Sequence, residues 1–207
     1  MQKKVIIFDH HPAFAEGLTS IISTNKFVSE ILVVNSFDEL LKVLKPIEVE
    51  RSVIVFELYQ PIIEQIIDLK KLMGIYPTIR VIVSAEFTDF INIKSIADLG
   101  CLGYFLRTSS STIILSAIEC ALNNKLFFNG DFINEIDFNK KNNTEELTLN
   151  ERELIYLISQ QLSTKEIASK LNLSIKSIDF RKKLLFNKTN TKNIAGLVNF
   201  GHVNKLL

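Results

Sequence analysis

Through the first 125 residues, short runs of β-branched and aromatic residues alternate about five times with longer segments of helical period. The runs are 4–8 (KVIIF), 29–34 (SEILVV), 51–56 (RSVIVF), 79–83 (IRVIV) and 103–106 (GYFL). The segments between them place apolar residues at helical spacing, as in Phe14, Leu18, Ile21 and Ile22. A strand that is apolar at nearly every position has to be covered on both faces, and helices returning between parallel strands provide that cover. The alternation therefore predicts a doubly wound α/β domain on a five-stranded parallel sheet, with no internal repeat.

The pattern breaks at 125–145 (KLFFNGDFINEIDFNKKNNTE), where Asn, Asp and Lys dominate and scattered Phe and Ile offer docking points. This stretch reads as an interdomain linker. From Leu147 onward the chain reads helical, with candidates at Glu151–Ser159, Thr164–Leu171, Ile175–Asn187 and Asn193–Leu206. The expected division is thus 1–124, a linker over 125–145, and a small all-α four-helix domain over 146–207.

Charge divides the same way. From Glu146 onward ten Lys and Arg face five Asp and Glu, a net +5, while the rest carries fourteen against eighteen, a net −4. A basic C-terminal piece on an acidic N-terminal one points to a polyanionic partner at the C-terminal end. The run after Met1 is too short for a signal-peptide core, and no stretch approaches the roughly 20 apolar residues of a membrane span. A cytoplasmic protein with no membrane partner is expected. Cys101 and Cys120 have no metal-ligand spacing and read as two free thiols.

In a doubly wound sheet the ligand crevice lies outside the carboxyl ends of the strands. Here those ends carry Asp9 and His10, then Glu57, Ser84 and Arg107. Two carboxylates, a hydroxyl and a cation on one rim suit a phosphate or metal site, although polar residues are also simply common at strand ends. Four segments resemble response-regulator receiver domains: Val5–Pro12 (VIIFDHHP), Val53–Pro61 (VIVFELYQP), Val83–Ala85 (VSA) and Gly100–Arg107 (GCLGYFLR). The resemblance implies a flavodoxin-like receiver fold in which Asp9, Ser84 and the switch aromatic Tyr104 keep the family's chemistry. Three positions depart from it. His10 replaces the second acid of the metal-binding pair, Glu57 stands at the phosphoacceptor aspartate, and Arg107 stands at the essential lysine.

Each departure has a consequence. An imidazole is a poor substitute for a carboxylate toward Mg²⁺, so Mg²⁺ binding is expected to be weak or absent. Glu57 moves its carboxylate out by one methylene, and a misplacement of about 1 Å costs on the order of a hundredfold in a positioned reaction. Arg107 offers a planar fork suited to hold a carboxylate bidentately. The expectation is a permanent Glu57–Arg107 pair that imitates a phosphoaspartate–lysine contact and holds Ser84 and Tyr104 in one arrangement. The alternative is a pocket filled for structural reasons alone. His10 and His11 suggest no transition-metal site, since adjacent side chains tend to diverge and no third nitrogen or sulfur ligand is in view.

Residues 147–207 resemble the LuxR-type helix-turn-helix domain along their whole length. The matching runs are Leu147–Glu153 (LTLNERE), Ser163–Ala168 (STKEIA), Leu171–Ile178 (LNLSIKSI), Arg181–Lys183 and Asn193–Val198 (NIAGLV). Thr148 with Glu151, and Ser163 with Glu166, have capping-box spacing, and Ser174 is placed to cap the recognition helix. Ile167, Ala168, Leu171, Leu173 and Ile178 form the apolar seam between the two motif helices. The resemblance puts Asp179, Phe180 and Lys183 in reach of the major groove. Lys176, Arg181, Lys182 and Lys188 are better placed for phosphates, and Lys165, Ser174 and Ser177 complete the DNA-facing set. Arg181 stands where the family usually has histidine. The last helix resembles a dimerisation helix, with Ile194, Leu197 and Val198 as its exposed stripe. The resulting expectation is a DNA-binding transcription regulator that works as a homodimer, without enzyme activity and without aspartyl phosphorylation. The alternative is an interaction module whose receiver-like domain binds another protein and whose helices have little DNA affinity.

Overall fold

The computed structural model describes residues 3–44, 49, 51–59, 62–86, 90–128, 147–204 and 206–207. It divides the chain into two compact units.

In the first unit the strands are β1 (Lys3–Phe8), β2 (Val28–Val34), β3 (Ser52–Leu58), β4 (Arg80–Ala85), β5 (Gly103–Leu106) and β6 (Phe127–Phe128). The helices are α1 (Pro12–Ser23), α2 (Phe37–Val43), α3 (Ile62–Ile75), α4 (Phe90–Asp98) and α5 (Ser111–Leu122). All pairings are parallel, in the order β2-β1-β3-β4-β5-β6. The continuous apolar runs have the cover they require. Val5, Ile7, Val53, Val55, Ile82 and Phe105 pack under Leu18 and Ile22 of α1 and Ile114, Ala117, Ile118 and Ala121 of α5. Alternate residues point to the other face, and Ile6, Phe8, Ile54, Phe56, Val81 and Val83 are buried there as well. β3, the central strand, is buried at all seven positions.

The sheet has six strands where the periodicity predicts five. The extra strand, Phe127–Phe128, lies inside the stretch read as a linker and pairs with Gly103 and Tyr104. A glycine permits this close approach. A Cβ at Gly103 would lie 2.4 Å from the carbonyl oxygen of Phe127. The rest of that stretch, 129–146, lies outside the described residues.

The second unit is helical: α6 (Leu149–Ser159), α7 (Thr164–Lys170), α8 (Ile175–Lys188) and α9 (Ile194–Val203). Both capping boxes form, Thr148 with Glu151 on α6 and Ser163 with Glu166 on α7. The α7–α8 turn passes through Asn172 in the left-handed region, at φ 53°. Asparagine tolerates that conformation better than most residues. Ser174 then caps α8 by accepting from the Ser177 backbone N–H at 3.1 Å. The core consists of Leu154, Ile155, Leu157, Ile158, Ile167, Ala168, Ile178, Leu185 and Leu197.

Leu197 corrects the expected dimerisation stripe. It is fully buried in this core, and Val198 packs partly against it. Of the three residues assigned to the stripe, only Ile194 is exposed, at 50%. The exposed large apolar residues of α9 are therefore Ile194 and Val203.

Candidate functional site

The order of strands reverses between β1 and β3, which places the crevice of this sheet at the ends of those two strands. Asp9 follows β1, Glu57 lies in the last turn of pairing of β3 opposite Ser84 of β4, and Arg107 follows β5. The Arg107 backbone N–H donates to the Ala85 carbonyl at 2.9 Å, which fixes where its side chain leaves the sheet.

Arg107 fills the crevice. Its Nη1 donates to Asp9 Oδ2 at 3.0 Å and also to Glu57 Oε1. The guanidinium lies over the Phe14 ring, 3.7 Å from its centroid, and Phe14 belongs to α1. Side-chain exposure is 9% for Arg107, 2% for Asp9 and 1% for Glu57. The predicted Glu57–Arg107 pair is present, but its form differs from the expected fork. One nitrogen bridges two carboxylates, because Asp9 and Glu57 stand close enough to share it.

The two imidazoles converge where the sequence suggests divergence. His11 Nδ1 lies 2.6 Å from Glu57 Oε1, and His10 Nδ1 lies 3.3 Å from Glu57 Oε2. The backbone brings them together. The His10 N–H donates to Glu57 Oε2 at 2.7 Å and the His11 N–H to Asp9 Oδ1 at 2.7 Å, so the chain wraps around both carboxylates before α1 begins. Edge contacts of His10 with Phe8 and Tyr59, centroids 5.0 and 4.9 Å apart, hold its ring.

Two buried carboxylates side by side titrate unequally. Burial pushes the Asp9 carboxyl up to about 6, aided by the Glu57 charge and opposed by the His11 N–H and Arg107. Burial also acts to raise Glu57. The hydrogen bonds from His10 and His11 and the charge of Arg107 outweigh it, and Glu57 stays below its ordinary value. Glu57 is thus the firmly ionised member and Asp9 the proton-accepting one.

Asp9, His11 and Glu57 have ligand-type atoms all within 4.8 Å of one another. The receiver resemblance implies Mg²⁺ at this place, but the residues do not fit it. A hard dication needs open carboxylate oxygens. Here Arg107 Nη1 takes one oxygen of each acid, and His10 replaces the second acid of the pair. Ser84 stands outside the network. It is 1% exposed, and among the described residues its Oγ meets no hydrogen-bond partner. Tyr104 is buried in β5, on the sheet face opposite Phe105.

The second group of residues lies on α8. Ile178 and Leu185 turn inward, and Lys176, Asp179, Phe180 and Lys183 are exposed on the outward side. Lys165 on α7 is exposed as well. Ser174 and Ser177 share a side-chain hydrogen bond of 2.8 Å at the N-cap, which serves the helix start. Three cations assigned to phosphates are engaged within the unit or sit against it. Lys182 Nζ donates to Thr164 Oγ1 at 2.6 Å, which ties α8 to α7. Lys188 Nζ pairs with Glu151 Oε2 at 2.8 Å, which ties the end of α8 to the start of α6. Arg181 lines a cavity of about 230 Å³ with Thr148, Asn150, Glu151, Leu154 and Leu184. Of the cations assigned to DNA, the exposed ones not engaged within the unit are therefore Lys165, Lys176 and Lys183.

Residues 145–200 match the family described as bacterial regulatory proteins, luxR family. Over 191 residues the chain is 28% identical to the transcriptional regulatory protein YdfI of Bacillus subtilis, covering 89% of this chain and 88% of that one. It is 25% identical over 208 residues to the fimbriae Z protein of Escherichia coli K12, covering 98% of each. RcsB of Salmonella enterica, solved bound to the rprA promoter, superposes with a TM-score of 0.63 at 22% identity, over 96% of this chain and 98% of that one. Residues 145–200 thus match a luxR-family regulatory domain, and the chain as a whole has the fold of RcsB.

Proposed function

We propose that the chain is a transcription regulator that binds duplex DNA as a dimer and whose receiver needs no aspartyl phosphate. The observation that carries the DNA reading is the outward face of α8. Lys176, Asp179, Phe180 and Lys183 stand clear of a core fixed by Ile178 and Leu185, so the helix presents them rigidly. Lys165, Lys176 and Lys183 supply phosphate-neutralising charge. Asp179 is suited to accept from a cytosine amino group. Ile194 and Val203 give α9 an apolar surface for pairing two modules.

The phosphate-independent reading rests on Arg107. A receiver that accepts a phosphoryl group needs a free aspartate, a bound dication and a cation held in reserve. Here the acceptor position is a buried glutamate already paired, and the cation is already committed. No catalytic role is assigned to any of these residues. In this reading the first domain, expected over 1–124, extends through β6 to Phe128, 146–207 is the second, and the protein works in the cytoplasm.

The test is binding of the full chain to duplex DNA across a salt series at one fixed Mg²⁺ concentration, with and without acetyl phosphate. DNA binding requires log K to fall with log salt by about 0.9 per phosphate neutralised. An equal affinity in both series is the expected result. A flat salt dependence contradicts the DNA reading, and a gain with acetyl phosphate contradicts the phosphate-independent one.

A further inference from the structure

The outward side of α8 carries an anomaly. A solvated helix face is ordinarily polar, yet Phe180 is 61% exposed, the most exposed large apolar side chain of this helix. It is not isolated among neutral residues. Lys176 lies one turn before it and Lys183 one turn after, both exposed and on the same face. An apolar ring between two ammonium groups suits an occupant that is itself apolar at its centre and anionic at its rims. A second copy of this helix does not meet that description, since it would set lysine against lysine. The major groove of duplex DNA does. It is flanked by phosphates, and its one apolar feature on a base edge is the 5-methyl group of thymine.

We propose that Phe180 reads the thymine 5-methyl group, so that the sites selected by this chain carry a thymine where each Phe180 enters the groove. The inference rests on the DNA-binding reading above and adds the base class that the helix selects. The arrangement divides the work along α8. Lys176 and Lys183 hold the backbones on either side, Asp179 is the neighbouring polar reader, and Phe180 discriminates by apolar contact. Phe180 is free to make this contact because its ring stands outside the core of the unit, with Leu184 one turn further along as the other exposed apolar residue beside it.

The experiment uses the full chain and duplexes selected from a randomised 20-base-pair pool. Each selected duplex is then made with thymine and with deoxyuridine, which differ only by the methyl groups. Removing one contacted methyl should weaken binding by about threefold to fivefold per Phe180, from the transfer free energy of one such group. Replacing thymines singly should confine the loss to one position in each half-site. The Phe180→Ala variant should bind the thymine and deoxyuridine duplexes equally, while its salt slope stays that of the wild type. Wild-type protein that binds both duplexes equally, or a Phe180→Ala variant that still distinguishes them, overturns the inference and leaves DNA binding intact. A wild-type chain that enriches no duplex and shows no salt-dependent binding overturns the DNA reading and this inference with it.

Discussion

Replacing Arg107 with methionine should be the most damaging single change at the strand-end pocket. The side chain is roughly isosteric along its stem, but it removes the guanidinium that lies over Phe14 and with it the cation between two carboxylates that are 2% and 1% exposed. Deleting one partner of a buried ion pair costs about 3–5 kcal/mol, because the other charge is left without compensation. Here two charges are left, and they repel each other. Glu57→Gln should cost less, about 1–3 kcal/mol, since it keeps the Arg107–Asp9 contact at 3.0 Å and removes the like-charge neighbour of Asp9. The pH dependence separates this account from a simple packing loss. Burial already raises Asp9 to about 6, and removing Arg107 removes a group that lowers it. The folded variant therefore binds a proton between its raised value and the ordinary carboxylate range, where the unfolded chain does not. Stability must rise as pH falls from 7.5 to 5.5, by on the order of 1–2 kcal/mol. Glu57 loses Arg107 as well, a group that lowers it, so any rise of its carboxyl adds to the same sign. The chain has no tryptophan, so urea unfolding is best followed by amide exchange in β1 and β3 at both pH values. An Arg107→Met variant within about 1 kcal/mol of wild type at pH 7.5, or one that loses stability toward pH 5.5, refutes the reasoning.

Four further outcomes follow from the geometry. Leu197→Ala should destabilise the C-terminal unit by about 2–5 kcal/mol. Ile194→Ser should leave its melting unchanged within about 0.5 kcal/mol and weaken self-association measured by sedimentation. Gly103→Ala should expel β6, because the new methyl meets the Phe127 carbonyl oxygen at 2.4 Å, and amide exchange at Phe127 and Phe128 should quicken while β4 stays protected. Burial pushes the Cys101 thiol up to about 12, so iodoacetamide at pH 8 should label the partly exposed Cys120 first, and equal rates would contradict the burial of Cys101.

The receiver-like sheet was legible because apolar strands of this length have few alternatives to burial on both faces. The Glu57–Arg107 pair was legible for a related reason, since opposite charges at the ends of β3 and β5 face one crevice across β4. The convergence of His10 and His11 on Glu57 was not. It depends on two backbone N–H groups wrapping the acids, which residue types do not reveal. Phe127 and Phe128 are too few to show a period, so β6 was hidden within a polar stretch. Leu197 shows a general limit. An apolar stripe at helical spacing looks the same whether its own domain or a second copy covers it, and here the domain covers the deepest residue. The Lys188 and Lys182 contacts were hidden because a cation does not announce whether it meets a phosphate or a protein oxygen. For Lys188 that oxygen lies 37 residues away in sequence.

The central claim, sequence-specific DNA binding without phosphate, is tested most directly by incubating the untreated full-length protein with fragmented genomic DNA in the absence of any phosphodonor and sequencing what it retains. The account predicts enrichment of a short, roughly palindromic motif, as a two-fold dimer of this helix-turn-helix requires. Retention with no shared motif, or none at all, from a chain whose α8 surface carries Lys176, Phe180 and Lys183 would contradict it.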